Sequence, residues 1–236
     1  MKSACTGSGI CVATASKVNG SQSTVSSMVL DKVGKRWTAV SASPGSCQNV
    51  ATEYWESWSL EQGQDGSLSG DFTVRSTTSC ARNQQVTFRR TGDAQSNVAI
   101  SNPKTQPASV ASPAQGLHGR YQETDTYTDG GRNAQVNFDI QTYCLRTGDR
   151  CLSFWENPDD AKILTFSANK WVLASTSADA QCKSGGPAHR EISLEYALPQ
   201  PTQNPITLLT GRGHYTITGD CPYSSDFDSR VERTGD

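Results

Sequence analysis

The cysteines recur along the chain in a fixed order, and this spacing constrains the fold more than any other feature. The eight cysteines form two sets of four with matched spacing: Cys5, Cys11, Cys47 and Cys80, then Cys144, Cys151, Cys182 and Cys221. Trp37 precedes Cys47 at nearly the distance at which Trp171 precedes Cys182. Such self-similarity indicates a tandem duplication, in which each copy builds the same structural unit.

A segment of different composition separates the two copies. Residues 94–116 contain three prolines and one charged residue but no aromatic residue, which is too little apolar surface for a core. We therefore predict a first repeat at 1–93, a linker at 94–116 and a second repeat at 117–236. Two strand-like runs precede Cys144 and have no counterpart before Cys5, so we expect the first repeat to lack its N-terminal strands.

The local pattern is almost wholly that of β-strands. Short runs with period-two alternation or β-branched residues are separated by turn dipeptides such as Asn19-Gly20 and Asp65-Gly66. We count six such runs in the first repeat and eight in the second. The sequence thus predicts an all-β protein of two antiparallel meanders, each resembling an up-and-down barrel. A two-sheet β-sandwich is the alternative.

The even number of cysteines favours disulfides over metal ligands, because none of them has zinc-ribbon spacing. Disulfides place the chain in an oxidising, extracytoplasmic compartment. Eight cysteines allow 105 pairings, and identical pairing in both copies leaves three. A short pair across a hairpin is the most plausible of these, which predicts the bridges Cys5–Cys11, Cys47–Cys80, Cys144–Cys151 and Cys182–Cys221.

Composition and motifs argue against several functional classes. The formal net charge is −2 and no half of the chain is basic, so we expect no nucleic-acid partner. No apolar run reaches the length of a membrane helix, so a membrane is expected only through a span outside this chain. The sequence has no nucleophile elbow, EF-hand or phosphate-binding loop. We predict no catalytic residue, no metal and no cofactor.

Aromatic side chains are the best candidates for binding a ligand. Trp55 and Trp58 lie three residues apart, which places them on opposite faces of one strand. An exposed member of that pair would serve binding. Tyr196 is the second-repeat counterpart that we assign to Trp58, and His214 lies in a strand-like run. The predicted ligand-binding residues are Trp55, Trp58, Tyr196 and His214.

Several stretches together resemble a known group of domains. They are "SACTGSGICVATAS", "MVLDKVGKRWTAVS", "QDGSLSG" with "CARNQQVTFRRTGD", "YCLRTGDRCLSFW", "LLTGRGHYTITGDC" and "DFDSRVERTGD". The chain resembles the extracytoplasmic C-terminal sensor domains of mycobacterial receptor-type serine/threonine protein kinases, the kind typified by PknJ and PknF. The resemblance covers nearly all of the chain except the linker, and its motifs are structural.

The resemblance implies a non-catalytic sensing or interaction domain on the outer face of the cell membrane. In such kinases an ATP-dependent cytoplasmic kinase domain precedes one membrane span, and neither kinase motifs nor a span occur here. The expected partner is an envelope ligand or protein, with homodimerisation as one arrangement. The alternative is a secreted or lipid-anchored envelope protein that binds a lipid or small molecule.

Overall fold

The computed structural model describes residues 1–17, 23–78, 80–93, 98–130, 133–159 and 161–236, without the side chains of 178 and 179. The Asn19-Gly20 turn lies outside these residues. The described residues form antiparallel strands and two short 3₁₀ helices, Pro103–Thr105 and Pro113–Gly116. The all-β prediction is confirmed. No described helix has the length and apolar character required to cross a bilayer.

The chain folds as two units, which do not coincide exactly with the two repeats. Unit 1 comprises Met1–Ala111 with Leu145–Thr147, and unit 2 comprises Ser112–Cys144 with Gly148–Asp236. The segment of residues 94–116 is thus shared between them. Within unit 1, Thr14 and Ser16 of the second strand donate side-chain hydrogen bonds of 2.6 Å to the carbonyls of Ser101 and Ala99.

Unit 1 is an antiparallel meander of seven strands in sequence order. The strands are β1 (Lys2–Cys5), β2 (Cys11–Ser16), β3 (Ser27–Val33), β4 (Arg36–Cys47), β5 (Val50–Gln62), β6 (Leu68–Ser76) and β7 (Ala81–Phe88). The expected number of six was too low, because the four-residue β1 is too short to show alternation. Within the described residues β1 and β7 each pair on one side only.

Unit 2 is a closed barrel of eight antiparallel strands. The strands are β8 (Gly119–Tyr127), β9 (Ala134–Cys144), β10 (Cys151–Glu156), β11 (Ala161–Ser167), β12 (Lys170–Gln181), β13 (Pro187–Ala197), β14 (Leu208–Gly219) and β15 (Tyr223–Gly235). Pairing of β15 with β8, in which Phe227 lies opposite Tyr127, closes the barrel. The eight predicted strands and the barrel are confirmed, and the sandwich alternative is excluded.

Strand registers show how the repeats correspond. Trp37 lies opposite Leu60 in unit 1, and Trp171 lies opposite Tyr196 in unit 2. Tyr196 therefore occupies the position of Leu60, while Leu194 occupies that of Trp58. Our sequence alignment of Trp58 with Tyr196 was wrong by two residues.

Each unit has its own hydrophobic core, built from the residues that alternate inward. In unit 1 the core is centred on Trp37, Trp58 and Phe72. In unit 2 it contains the fully buried Trp155 and Trp171. Burial of these large aromatic side chains is the main favourable term in each unit, because apolar area removed from water stabilises by about 25 cal/mol per Å².

The four disulfides in the structure lie within the units. Cys144 and Cys151 are directly opposite each other across the β9–β10 hairpin, with Cα atoms 4.0 Å apart. That separation is close to a non-hydrogen-bonded pair rather than the roughly 5.5 Å of a hydrogen-bonded one. Gly148, with φ of 77°, supplies the left-handed residue of this turn.

Candidate functional site

Residues that precede the first barrel strand fill one end of the barrel. The second 3₁₀ helix and Leu117 are packed into it, and Ala114 and Leu117 are fully buried. The amide of Ile206 donates to the carbonyl of Gly116 at 2.8 Å, and the Tyr121 hydroxyl donates to the carbonyl of Ile206 at 2.6 Å. These bonds hold the helix and the β13–β14 connection together as a plug.

The opposite end is lined by tyrosines, and we call Tyr127, Tyr215, Tyr223 and Phe227 the aromatic mouth. Tyr127 lies 5.3 Å from Phe227 and 6.3 Å, edge-on, from Tyr215, measured between ring centroids. Tyr215 lies 6.0 Å from Tyr223. Phe227 is fully buried, whereas Tyr127 and Tyr215 are only partly buried. Aromatic rings left partly exposed at a barrel mouth are typical of a binding surface.

Beneath the aromatic mouth lies a buried polar cluster. The inner face of β8 carries every second residue of the strand: Tyr121, Glu123, Asp125 and Tyr127. The two carboxylates, Glu123 and Asp125, are only 1% and 7% exposed. Glu123 is well satisfied. It accepts a hydrogen bond of 2.9 Å from the Tyr196 hydroxyl and an ion-pair hydrogen bond from Lys162.

Asp125 is less well satisfied than Glu123. Its carboxylate interacts with Ser229, but among the described residues the buried Oδ1 has no hydrogen-bond partner. Burial, and next the negative charge of Glu123, raise the pKa of Asp125 from 3.8 to about 6. Burial likewise raises the pKa of Tyr127 to about 12, with Asp125 as the next cause. The barrel interior therefore contains two carboxylates, and Lys162 pairs with Glu123 while only partly offsetting the burial of Asp125.

Of the four sequence-predicted binding residues, Tyr196 belongs to this cluster. Its ring is fully buried and stacks on Trp155 at 5.7 Å. Besides the bond to Glu123, its hydroxyl lies 2.8 Å from the Ser229 hydroxyl. Burial and Glu123 raise the pKa of Tyr196 well above its usual value, so the phenol stays protonated. Tyr196 positions Glu123 and does not face solvent.

His214 lies on the outer face of the barrel. Its Nδ1 is 2.7 Å from Asp226 Oδ1, and its Nε2 is 3.1 Å from the Ser224 hydroxyl. This is the hydrogen-bond order of a serine hydrolase triad. However, His214 and Asp226 are 50% and 60% exposed in their side chains, and β14 is paired on both sides, which commits its amides to the ladder. These contacts are therefore hydrogen bonds between exposed residues of the outer face.

Trp55 and Trp58 lie in unit 1, apart from the barrel cluster, and both are buried. The Trp55 indole donates to Glu53 Oε2 at 2.9 Å. Trp58 stacks on Phe72 at 4.0 Å, and no described residue accepts a hydrogen bond from its Nε1. Neither indole is exposed, so their contacts are those of packing. Within unit 2, Tyr196 faces the barrel interior and His214 lies on the outer face, so these two predicted residues do not share a site.

The candidate site contains residues that the sequence analysis passed over. Glu123, Asp125 and Tyr127 belong to the run "GRYQETDTYT", in which they share a face with Tyr121. Polar residues on the apolar face of a strand were the available signal. The ion pair between Lys162 and Glu123 could not be predicted from the sequence, because the two residues are far apart in the chain. Among the described residues no group of three or more His, Cys, Asp or Glu side chains could hold a metal ion.

Comparisons with known proteins add little to this geometry. No family model and no curated protein matches the chain. The monomer form of the PknI sensor domain of M. tuberculosis matches with 18% sequence identity, over 56% of this chain and 92% of that chain. The TM-score is 0.35, which is too low for this likeness to carry an argument about fold or function.

Proposed function

We propose that this chain is a non-catalytic ligand-sensing domain on the extracytoplasmic face of the cell, and part of a transmembrane serine/threonine protein kinase. The observation that carries the sensing role is the barrel itself. One end is plugged, and the other presents partly exposed tyrosines above a buried carboxylate. Barrel mouths with a few polar groups among aromatic walls are a common form of small-molecule site.

The compartment is proposed from the disulfides. All eight cysteines are paired in the structure, and bonds of this kind persist outside the reducing cytoplasm. The attached kinase is proposed from the resemblance of the Cys, Trp, Gly and turn motifs to the ectodomains of receptor-type kinases. An enzyme is disfavoured because the Ser224–His214–Asp226 arrangement lies on the outer face of the barrel, where the side chains of His214 and Asp226 are 50% and 60% exposed.

Signalling by such a domain requires a ligand that prefers one arrangement of the receptor over another. A ligand with equal affinity for both arrangements shifts no equilibrium, however tightly it binds. The decisive experiment uses the parent kinase with its span in membranes and measures autophosphorylation. The experiment compares the intact receptor with a receptor that lacks this domain and with a Tyr127→Ala/Tyr215→Ala receptor.

We expect deletion of the domain to change basal autophosphorylation, and the double variant to lose the response to envelope extracts. Tyr143→Ala, on the outer face of β9, is the matched control and should respond like the intact receptor. Equal autophosphorylation of all forms under every condition would contradict sensing. It would favour a carrier, since a closed eight-stranded barrel can hold one small ligand.

A further inference from the structure

We propose that the aromatic mouth of the barrel binds a small organic cation, a primary or quaternary ammonium, between Asp125 and the rings of Tyr127 and Tyr215. This inference rests on the proposed ligand-sensing function and names the chemical class of the ligand. Its basis is the combination of an unsatisfied buried carboxylate with partly exposed aromatic rings on the same inner surface.

Asp125 supplies the charge. Its exposed fraction is only 7%, and within the part of the chain that the structure describes its Oδ1 has no hydrogen-bond partner. Lys162, the buried cation nearby, is committed to Glu123. A buried acceptor without a partner is costly, since it has lost water and gained no bond. An ammonium group at Oδ1 would provide the missing donor, and it would add to the positive charge of Lys162, which already acts on Asp125.

The rings supply the walls. Tyr127 follows Asp125 by two residues in β8, so it lies on the same inner face and is the next inward residue towards the open end. Tyr215 meets it edge-on at 6.3 Å, and Tyr223 is oriented by a hydrogen bond of 2.9 Å from its hydroxyl to Asp129 Oδ2. The faces of aromatic rings carry negative potential, and they bind ammonium groups in cages of this composition.

The charges around the mouth favour a cation over an anion. Glu123 and Asp125 lie on the inner surface, and Asp129 lies at the rim beside Tyr223. Among the described residues, the cations at inward-facing positions include Lys162, which is paired, Arg190, which is exposed at the rim on β13, and Arg233, which lies beside Tyr121 at the plugged end. An anion entering the barrel would approach two buried carboxylates, and like charges at close range repel strongly in a low dielectric.

The test measures binding of choline chloride and of ethylammonium chloride to the full disulfide-bonded chain by titration calorimetry at about pH 7.5, well above the raised pKa of Asp125, and at constant ionic strength. We expect saturable binding. Asp125→Asn should weaken it at least tenfold, and Tyr127→Leu should weaken choline more than ethylammonium. Asp139→Asn, an exposed carboxylate on the outside of β9, is the matched control and should bind like the native chain. Asp125→Asn removes a buried charge, so loss of folding is not expected.

Absence of saturable binding of both cations at millimolar concentration would overturn the proposal, as would native affinity in Asp125→Asn. The parent kinase separates this result from the proposed function. An autophosphorylation response that persists in Asp125→Asn overturns the cation site and leaves sensing intact. Binding of choline that needs Asp125, with autophosphorylation unaffected by deletion of the domain, supports the site and contradicts sensing.

Discussion

At the residue scale, the most unusual feature is a carboxylate pair buried in a barrel with one lysine. Glu123 and Lys162 satisfy each other, which leaves Asp125 with a pKa raised chiefly by burial. Sequence reasoning could have found the position of Asp125, because it alternates with Tyr121 and Tyr127. It could not have found the missing partner, which depends on contacts between strands far apart in the chain.

Replacement of Asp125 by Asn should change how stability depends on pH. A carboxyl whose pKa in the folded state is raised to about 6 adds most to the free energy of unfolding below about pH 4. This stabilisation is lost as the pH rises through about 6. The shift from 3.8 to about 6 corresponds to about 3 kcal/mol. We therefore expect Asp125→Asn to gain about 2 kcal/mol of stability relative to the native chain between about pH 4.5 and about pH 7.5, since the rest of that amount falls below this range.

The measurement is urea unfolding of the full chain at both pH values with the disulfides intact, followed by tryptophan fluorescence. Asp139→Asn serves as the control, because Asp139 is exposed on the outer face of β9. A difference between Asp125→Asn and the native chain that is equal at both pH values would contradict a raised pKa.

At the element scale, the two repeats solve one packing problem with different residues. Phe72 of β6 is replaced by Gly213 of β14, and Gln84 of β7 is replaced by Phe227 of β15. The first repeat thus has the aromatic ring on β6, whereas the second repeat has it on β15, the strand next to the equivalent of β6. The two-residue error in aligning β5 with β13 has a physical reason. A shift of two keeps every side chain on its own face, so alternation cannot detect it.

Substitution of Gly213 by Ala should destabilise the barrel. An added Cβ would lie 2.2 Å from Phe227 Cζ and 2.7 Å from the Ser193 carbonyl oxygen. Overpacking of this kind typically costs about 1–3 kcal/mol. Phe227→Leu should recover part of the loss in the double variant, because the nearest clash is with the ring. Thermal unfolding of the four forms gives the coupling energy.

Gly7→Ala is the control for this cycle, since nothing lies within 4 Å of a Cβ built there. It should leave the unfolding temperature nearly unchanged. Strictly additive effects of Gly213→Ala and Phe227→Leu would show that the Phe227 ring does not limit the space at Gly213.

At the scale of the whole molecule, local patterns predicted the meander order and the number of strands in the second repeat. Local patterns could not decide between a closed barrel and a sandwich. Closure of the barrel depends on the pairing of β15 with β8, which joins residues far apart in the chain, such as Asp228 and Thr126. The plug was missed because its helix lies in the segment 94–116, whose composition is that of a linker. A few buried side chains such as Leu117 decide its position, and composition averages over them.

The cysteines of the purified protein should be connected only within each repeat. We expect Cys5–Cys11, Cys47–Cys80, Cys144–Cys151 and Cys182–Cys221, as in the structure. The long bridges span sequence separations of 33 and 39, and by the chain-entropy argument each contributes about 4 kcal/mol, against about 2 kcal/mol for the short ones. Peptide mapping without reductant, compared with a reduced sample, should find two short and two long bridges. Any bridge between residues 1–93 and 117–236 would contradict two independently folding repeats, because each repeat would then depend on a cysteine of the other.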